Sequence, residues 1–92
     1  MKIEISKILY IESLKDYVKI VCDDEAIVTH DSLLNLSAFL SDYGFIRIHN
    51  SFLVATDKIK SFNAESVFLE HKELPISRTY KKEVLALLES DK

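Results

Sequence analysis

Two short segments rich in β-branched residues, separated by three acidic residues, constrain the fold of this chain more than any other feature. Tyr17–Cys22 and Ala26–His30 flank Asp23-Asp24-Glu25. Such residues favour strands, and so short a polar connection joins neighbouring antiparallel strands. The sequence therefore predicts a hairpin at this place.

Further apolar patterns predict strands before and after this hairpin. Ile3 and Ile5 alternate with charged residues, which indicates an edge strand, and Ile8–Ile11 is a continuous apolar run typical of a more buried strand. Phe45–His49 alternates again, and Phe52–Val54 adds core material. A second hairpin is predicted from Ser66–Glu70 and Leu74–Ser77, with Pro75 at a position that donates no ladder hydrogen bond.

Two stretches follow the helical period instead. The first begins after the N-cap candidates Asp31 and Ser32 and ends before Gly44, a favourable C′ residue. Its apolar positions are Leu33, Leu36, Phe39, Leu40 and Tyr43. The second closes the chain, with Lys81, Lys82 and Glu83 on the solvent side. Its apolar positions are Tyr80, Val84, Leu87 and Leu88.

Length and composition predict that residues 1–92 form one domain of mainly β (α+β) class with antiparallel sheets. The 92 residues are 48% hydrophobic with one glycine and one proline, which suits a single modest core. No apolar run approaches the roughly 18 residues of a membrane span, so we predict a cytoplasmic protein with no membrane partner. The single cysteine, Cys22, is interpreted as a packed, reduced thiol.

The sequence contains no group of residues typical of catalysis or metal binding. His30, His49 and His71 fall in three separate segments, without the spacing of a zinc site. Ser51, Ser77 and His49 could be imagined as parts of a triad, but isolated Ser and His residues are common. We therefore expect no enzyme, no cofactor and no metal.

The net charge of −3 does not favour binding to nucleic acid, because phosphate neutralisation needs clustered cations. Net charge does not describe a local patch, however. Five cationic side chains could gather on one surface while the acidic groups lie elsewhere: Lys15, Arg47, Arg78, Lys81 and Lys82.

Candidate contact residues lie at strand ends and turns. In Ser13–Tyr17, Lys15 could contact a phosphate and Tyr17 a backbone or base, or they could be a solvated lysine and a half-buried strand tyrosine. Asp57–Lys60 is interpreted as a solvated turn.

Arg47–Ser51 combines a guanidinium, an imidazole, an amide and a hydroxyl at a strand end. Asn50 could pair with the edge of adenine, and Arg47 and His49 could reach phosphates or guanine. The alternative is a turn in which Asn50 caps backbone groups and His49 satisfies a buried partner.

Ser77–Lys82 contains three cationic side chains where a strand passes into a helix. Arg78 is the candidate for bidentate recognition, and the helix N-terminus suits a phosphate. The alternative is an N-cap at Ser77 or Thr79 followed by a solvated first turn. Lysines in a first helical turn oppose the helix dipole, which favours a functional role.

Three blocks of the sequence together resemble the LytTR family over about residues 2–88. They are Ile8–Ser13 with Asp16–Ile20, Phe45–Val54, and Leu74–Lys82. The resemblance implies an elongated arrangement of three small antiparallel β-sheets with short helices, in which loops at the sheet ends enter successive major grooves of double-stranded DNA.

The resemblance also implies residue roles. Contacts to bases or backbone fall on Lys15 and Tyr17, on His49 and Asn50, and on Arg78; Lys81 and Lys82 become supporting phosphate contacts. Many relatives carry a basic residue where this chain has Asn50, which here shifts that contact toward base reading or weakens it.

The resemblance finally implies the wider protein. Relatives usually have one more strand upstream of Lys2, so the chain is interpreted as a fragment of a longer regulator. That regulator would be a bacterial response regulator with an upstream receiver domain for self-association, a sensor histidine kinase as partner, and promoter direct repeats as target. The alternative, which the acidity favours, is a protein-interaction domain of the same fold that does not bind DNA.

Overall fold

Both predicted helices and all but one of the predicted strands appear in a computed structural model, which describes residues 3–90. Short 3₁₀ turns at Ile5–Lys7, Ser41–Tyr43 and Thr56–Lys58 connect some of them. In chain order the elements are β1 (Ile8–Ser13), β2 (Val18–Cys22), β3 (Ala26–Thr29), α1 (Leu33–Leu40), β4 (Phe45–His49), β5 (Phe52–Ala55), β6 (Ser61–Phe62), β7 (Ser66–Phe68), β8 (Glu73–Pro75) and α2 (Arg78–Ser90).

Five strands form one antiparallel sheet in the order β3-β2-β1-β5-β4. The predicted first hairpin is present, with Val18 opposite Thr29 and Val21 opposite Ala26. Strand β1 lies at the centre of the sheet. Its Ile11 pairs with Ile20 of β2 on one side and with Leu53 of β5 on the other.

The second predicted hairpin belongs to a smaller antiparallel sheet, in the order β6-β7-β8. Val67 lies opposite Leu74, and Pro75 lies opposite Ser66 on the edge strand β8. An edge strand pairs on one side only, which accommodates a residue without an amide proton.

The resemblance implied three sheets, whereas two are formed by residues 3–90. Strand β1 pairs through both of its edges, with β2 and with β5, so the first three strands and the β4–β5 hairpin merge into one sheet. The molecule measures 35 × 24 × 24 Å along its principal axes, so it is elongated as expected.

The N-terminal edge strand predicted from Ile3 and Ile5 is wrong. Ile5–Lys7 is a 3₁₀ turn in which the Lys7 amide donates to the Glu4 carbonyl at 3.0 Å. Ile3 and Ile5 are half-buried against the core instead of alternating across a sheet. Residue 2, where the resemblance begins, lies outside the described residues.

The large sheet buries both of its faces. One face, with Ile11 and Leu53, packs against α1 through Leu33 and Leu40. The other face, with Tyr10, Ile48 and Val54, packs against the small sheet and α2. Because helix and small sheet lie on opposite faces, the turns at the ends of the strands are left as the accessible connections.

Helix α1 begins as predicted but ends earlier, at Leu40, and a 3₁₀ turn at Ser41–Tyr43 continues it to Gly44. Its buried face is also narrower than predicted. The Ser32 hydroxyl accepts a hydrogen bond from the Asn35 amide at 3.1 Å, and Gly44 follows the 3₁₀ turn with φ of 81°. Phe39 and Tyr43 were expected in the core but are 63% and 56% exposed. Phe39 is rotated about 100° from Leu40, which turns its ring away from the sheet.

Candidate nucleic-acid interface

The antiparallel order places the connections of the large sheet at two opposite ends. The β1–β2 turn, the β3–α1 junction and the β4–β5 turn lie at one end. The β2–β3 turn, the α1–β4 connection and the segment after β5 lie at the other. Strand β1 separates these ends by roughly 17 Å, at about 3.3 Å per residue.

The β1–β2 turn presents Lys15 and Tyr17 to solvent. The Leu14 amide donates to the Tyr17 carbonyl at 2.8 Å, which closes the turn. Lys15 is exposed, and Tyr17 is 47% exposed. The Tyr17 and His30 rings pack in a T-shaped arrangement with 5.2 Å between ring centroids. Tyr17 is therefore held in place and still accessible.

The β4–β5 turn consists of Asn50 and Ser51, with His49 opposite Phe52. The His49 Nδ1 accepts a hydrogen bond from the Ser51 amide at 3.0 Å, and its ring packs against Phe52 at 5.5 Å. Nδ1 is thereby engaged, so any contact of His49 with a ligand must use Nε2. Asn50 is exposed at the tip of the turn.

The start of α2 carries the remaining candidates. Arg78 is its first residue and is exposed, Lys81 is half-buried and Lys82 is exposed. Positions three and four residues apart lie on the same side of a helix, so these cations share one side. Within the first turn of α2 there is no acidic residue.

Backbone hydrogen bonds join these three segments. The Ser13 amide at the end of β1 donates to the Ser51 carbonyl at 2.8 Å. The Ser77 amide, just before α2, donates to the Ile48 carbonyl at 2.9 Å. The first turn, the second turn and the helix start therefore lie side by side at one end of the large sheet, which we call the cationic end.

Acidic residues concentrate at the opposite end of the sheet, here called the acidic end. The Asp23 amide donates to the Lys7 carbonyl at 3.3 Å, which fixes the acidic turn next to the start of β1. Lys58, in the segment interpreted as a solvated turn, also lies at this end, beyond β5. The acidic end contains Asp23, Asp24, Glu25, Asp42 and Asp57.

The cationic end is not free of acidic groups. Asp16 is exposed in the β1–β2 turn, and Asp31 lies at the β3–α1 junction. The Asp31 carboxylate accepts hydrogen bonds from the Ser32 amide at 2.7 Å and from the Asn35 side chain at 3.4 Å. Its oxygen is thus partly engaged at the start of α1.

Sequence reasoning missed one residue at this end, and it did not show that a second residue is already engaged within the protein. His30 was considered only as a metal ligand, but the strand pairing of Thr29 with Val18 brings it beside Tyr17. Arg47 was a candidate for phosphate or guanine, but its guanidinium contacts the β4–β5 turn itself. The predicted hairpin alone could have placed His30 near Tyr17.

Burial raises the pKa of two groups away from the cationic end. The Cys22 thiol has a pKa above its ordinary value, first because of burial and then because of Glu25, Asp24 and Asp23. Burial, with a smaller contribution from Glu12, also raises the pKa of Tyr10. Cys22 is a free, buried cysteine, which agrees with its interpretation as a packed thiol.

A groove of about 560 Å³ runs between α2 and β4. Ile46, Val84 and Leu87 contribute to its lining, and Leu87, predicted to lie in the buried face of the helix, is 45% exposed. Among residues 3–90, no cluster of His, Cys, Asp and Glu has a metal-binding arrangement. Neither helix in that range has the length and apolar character to cross a membrane.

Comparison with known protein families decides the relationship. The family model described as LytTr DNA-binding domain matches residues 1–89. The chain belongs to the LytTR family. Membership confirms the resemblance read from the three sequence blocks, and it places the chain in a family defined by a binding domain and not by a reaction.

Relatives of this LytTR domain include longer proteins. It is 32% identical to the sensory transduction protein LytT of Bacillus subtilis, and 33% identical to the LytT protein of Bacillus cereus. Each comparison covers 94% of this chain but only 38% and 37% of the relatives, so the domain spans well under half of their length.

The fold of this LytTR domain also occurs in a solved structure. A LytTr DNA-binding domain from Bacillus cereus superimposes with a TM-score of 0.81 at 24% identity, over 90% of this chain and 82% of the other. The likeness establishes the same mainly β architecture.

Proposed function

We propose that this domain binds double-stranded DNA in a sequence-specific manner through the cationic end. The main support is that three exposed segments, around Lys15, Asn50 and Arg78, lie side by side. The Ser13–Ser51 and Ser77–Ile48 hydrogen bonds join them. Family membership supports the choice of DNA as ligand.

Separation of charge explains how an acidic domain can approach DNA. The acidic end lies on the far side of the sheet, so repulsion by its carboxylates orients the molecule with the cationic end toward the phosphates. A local positive surface can bind nucleic acid despite a net charge of −3, because screening limits charge interactions to about 8 Å at physiological ionic strength.

Each candidate residue has a role that matches its chemistry. The Asn50 amide both donates and accepts, as the major-groove edge of adenine requires, and the Arg78 guanidinium suits the paired acceptors of guanine. Lys15, Lys81 and Lys82 neutralise phosphates, and the N-terminus of α2 adds its dipole. Tyr17 and the Nε2 of His49 contribute hydrogen bonds to the backbone or to base edges.

The domain acts within a longer bacterial regulator of transcription. Its relatives are named as sensory transduction proteins, and it spans 37–38% of their length. In this proposal an upstream receiver domain, controlled by a sensor histidine kinase, pairs two copies on promoter direct repeats. Pairing raises the effective concentration of the second copy, which compensates for weak binding by a single domain.

Salt dependence tests the proposal. A duplex is selected from a randomised pool with the domain, and its affinity is measured by fluorescence anisotropy from 50 to 200 mM salt, a range in which phosphate contacts weaken strongly. Neutralising about three phosphates, through Lys15, Lys81 and Lys82, predicts a log–log slope of about −3. Lys15→Ala should make that slope less negative by about 1.

Lys7→Ala is the matched control, since Lys7 is an exposed lysine beside the acidic turn. It should leave the slope unchanged. A slope near zero for the wild-type domain would contradict DNA binding and favour the protein-interaction alternative. Equal effects of the two lysines would contradict the assignment to the cationic end.

A further inference from the structure

Arg47 contacts two of the three segments at the cationic end. Its Nε donates to the His49 carbonyl at 3.1 Å, and its Nη2 donates to the Asn50 carbonyl at 3.0 Å. Its Cζ lies 5.7 Å from the centroid of the Tyr80 ring in the first turn of α2. One guanidinium thus connects the turn that carries Asn50 with the helix start that carries Arg78.

The β4–β5 turn lacks the backbone conformation that is usual for a two-residue hairpin loop. Two-residue hairpin loops normally use type I′ or II′ turns, which need positive φ values. No residue other than Gly44 has a positive φ within residues 3–90, so neither Asn50 nor Ser51 supplies one. The strand register also shifts between Arg47 and His49. Side-chain hydrogen bonds support the turn instead. Arg47 donates to the His49 and Asn50 carbonyls, and His49 accepts from the Ser51 amide.

The start of α2 depends on the same strand. The Ser77 amide donates to the Ile48 carbonyl, the residue next to Arg47. Arg78 lies between Ser77 and Tyr80. Both of these neighbours contact β4, Ser77 through the Ile48 carbonyl and Tyr80 through the Arg47 guanidinium. Arg47 therefore lies between the turn that carries Asn50 and the helix start that carries Arg78, and contacts both.

We propose that Arg47 is a positioning residue for sequence discrimination, which holds Asn50 and Arg78 in register and does not neutralise a phosphate. This inference rests on the proposed function. Substituting Arg47 should therefore change the ratio of specific to non-specific affinity and leave the salt dependence of binding unchanged.

The test compares Arg47→Lys and Arg47→Met with the wild-type domain. Affinities for the selected duplex and for a scrambled duplex are measured over the same salt range, below the unfolding temperature of each variant. Misplacing one or both base-reading side chains should lower the specificity ratio roughly ten- to hundredfold. Lysine should not rescue it, because an ammonium cannot bind two carbonyls in a fork and stack on Tyr80. Both slopes should match the wild type.

A second measurement does not depend on DNA. In the free domain, Arg47→Lys and Tyr80→Leu should each shift the amide resonances of Ser51 and Arg78, with Lys7→Ala as the unaffected control. For the specificity ratio, the double variant Arg47→Met/Tyr80→Leu should lose less than the product of the single losses, because both act through one contact.

Three results would overturn the inference. The first is an unchanged specificity ratio in the Arg47 variants. The second is a salt slope that changes by about 1 in Arg47→Met but not in Arg47→Lys, because that pattern indicates a phosphate contact. Unshifted Ser51 and Arg78 amides contradict the coupling itself. Failure of the wild-type domain to bind any duplex instead refutes the proposed function, and the amide shifts still decide whether Arg47 couples the two segments.

Discussion

Exposure divides the candidate contact residues into two groups. The exposed group contains Lys15, Tyr17, Asn50, Arg78 and Lys82. Lys81 and His49 are half-buried, and His49 is also bonded to the Ser51 amide. Truncating an exposed side chain opens no cavity, so altered binding in such a variant reports a lost contact. Truncating His49 also removes a support of the β4–β5 turn, so its effect combines two causes.

Arg78→Ala and Asn50→Ala should each reduce specific binding by about 1–3 kcal/mol while the fold is retained. Both side chains are expected to read base edges, so the loss should be concentrated on the selected duplex. Competition titrations with the selected and scrambled duplexes measure it, and circular dichroism checks the fold.

Lys82→Ala should differ from Arg78→Ala and Asn50→Ala in its effect on sequence discrimination. A phosphate contact carries no sequence information, so this change should weaken binding to both duplexes alike. Unchanged affinity in the Arg78 variant, or a sequence-dependent effect of Lys82, would contradict the division of roles.

Residue type predicted which side chains could bind DNA but not which were already engaged. The types at Arg47 and Arg78 are identical, and only the fold shows that the first binds the His49 and Asn50 carbonyls. His30 was overlooked for a related reason, because its contact with Tyr17 depends on the strand pairing and cannot be seen from the residue type alone.

Elements defined by local chemistry were predictable from the sequence. The hairpin of β2 and β3 follows from β-branched residues around a short acidic turn, and the start of α1 follows from Ser32 as N-cap. Gly44 ends the helical segment, but after a 3₁₀ turn and not directly after α1. The segment containing Ile3 and Ile5 was not predictable in this way. Its alternation suits a strand, but burial against the core outweighs that preference.

Gly44, at the end of the 3₁₀ turn that follows α1, is expected to contribute to stability. Gly44 has φ of 81°, and a Cβ there would lie 3.4 Å from the Thr56 Oγ1, whose hydroxyl donates to the Gly44 carbonyl at 2.8 Å. Gly44→Ala should therefore lower the free energy of unfolding by about 1–2 kcal/mol, since L-residues with a Cβ disfavour this conformation. Urea denaturation measures the change.

Gly44→Asn is the matched control, because asparagine adopts the left-handed conformation more readily than alanine. It should lose less stability than Gly44→Ala. Equal losses would indicate that contact with Thr56, and not backbone conformation, determines the requirement for glycine.

At the scale of the molecule, the pairing of β1 with β5 is the feature that local patterns could not predict. Ile11 and Leu53 are far apart in the sequence, and both are fully buried at the centre of the sheet. This pairing places the β1–β2 and β4–β5 turns at one end. It also separates the cationic end from the acidic end, which the net charge conceals.

An NMR titration of the ¹⁵N-labelled domain with the selected duplex shows whether the cationic end is the surface that meets DNA. The largest amide perturbations should fall at Lys15–Tyr17, Asn50–Ser51 and Arg78–Lys82, with little change at Asp23–Glu25. Perturbations centred on Asp23–Glu25, or on the exposed Phe39 of α1 and Tyr43 of the 3₁₀ turn after it, would contradict DNA binding at the cationic end.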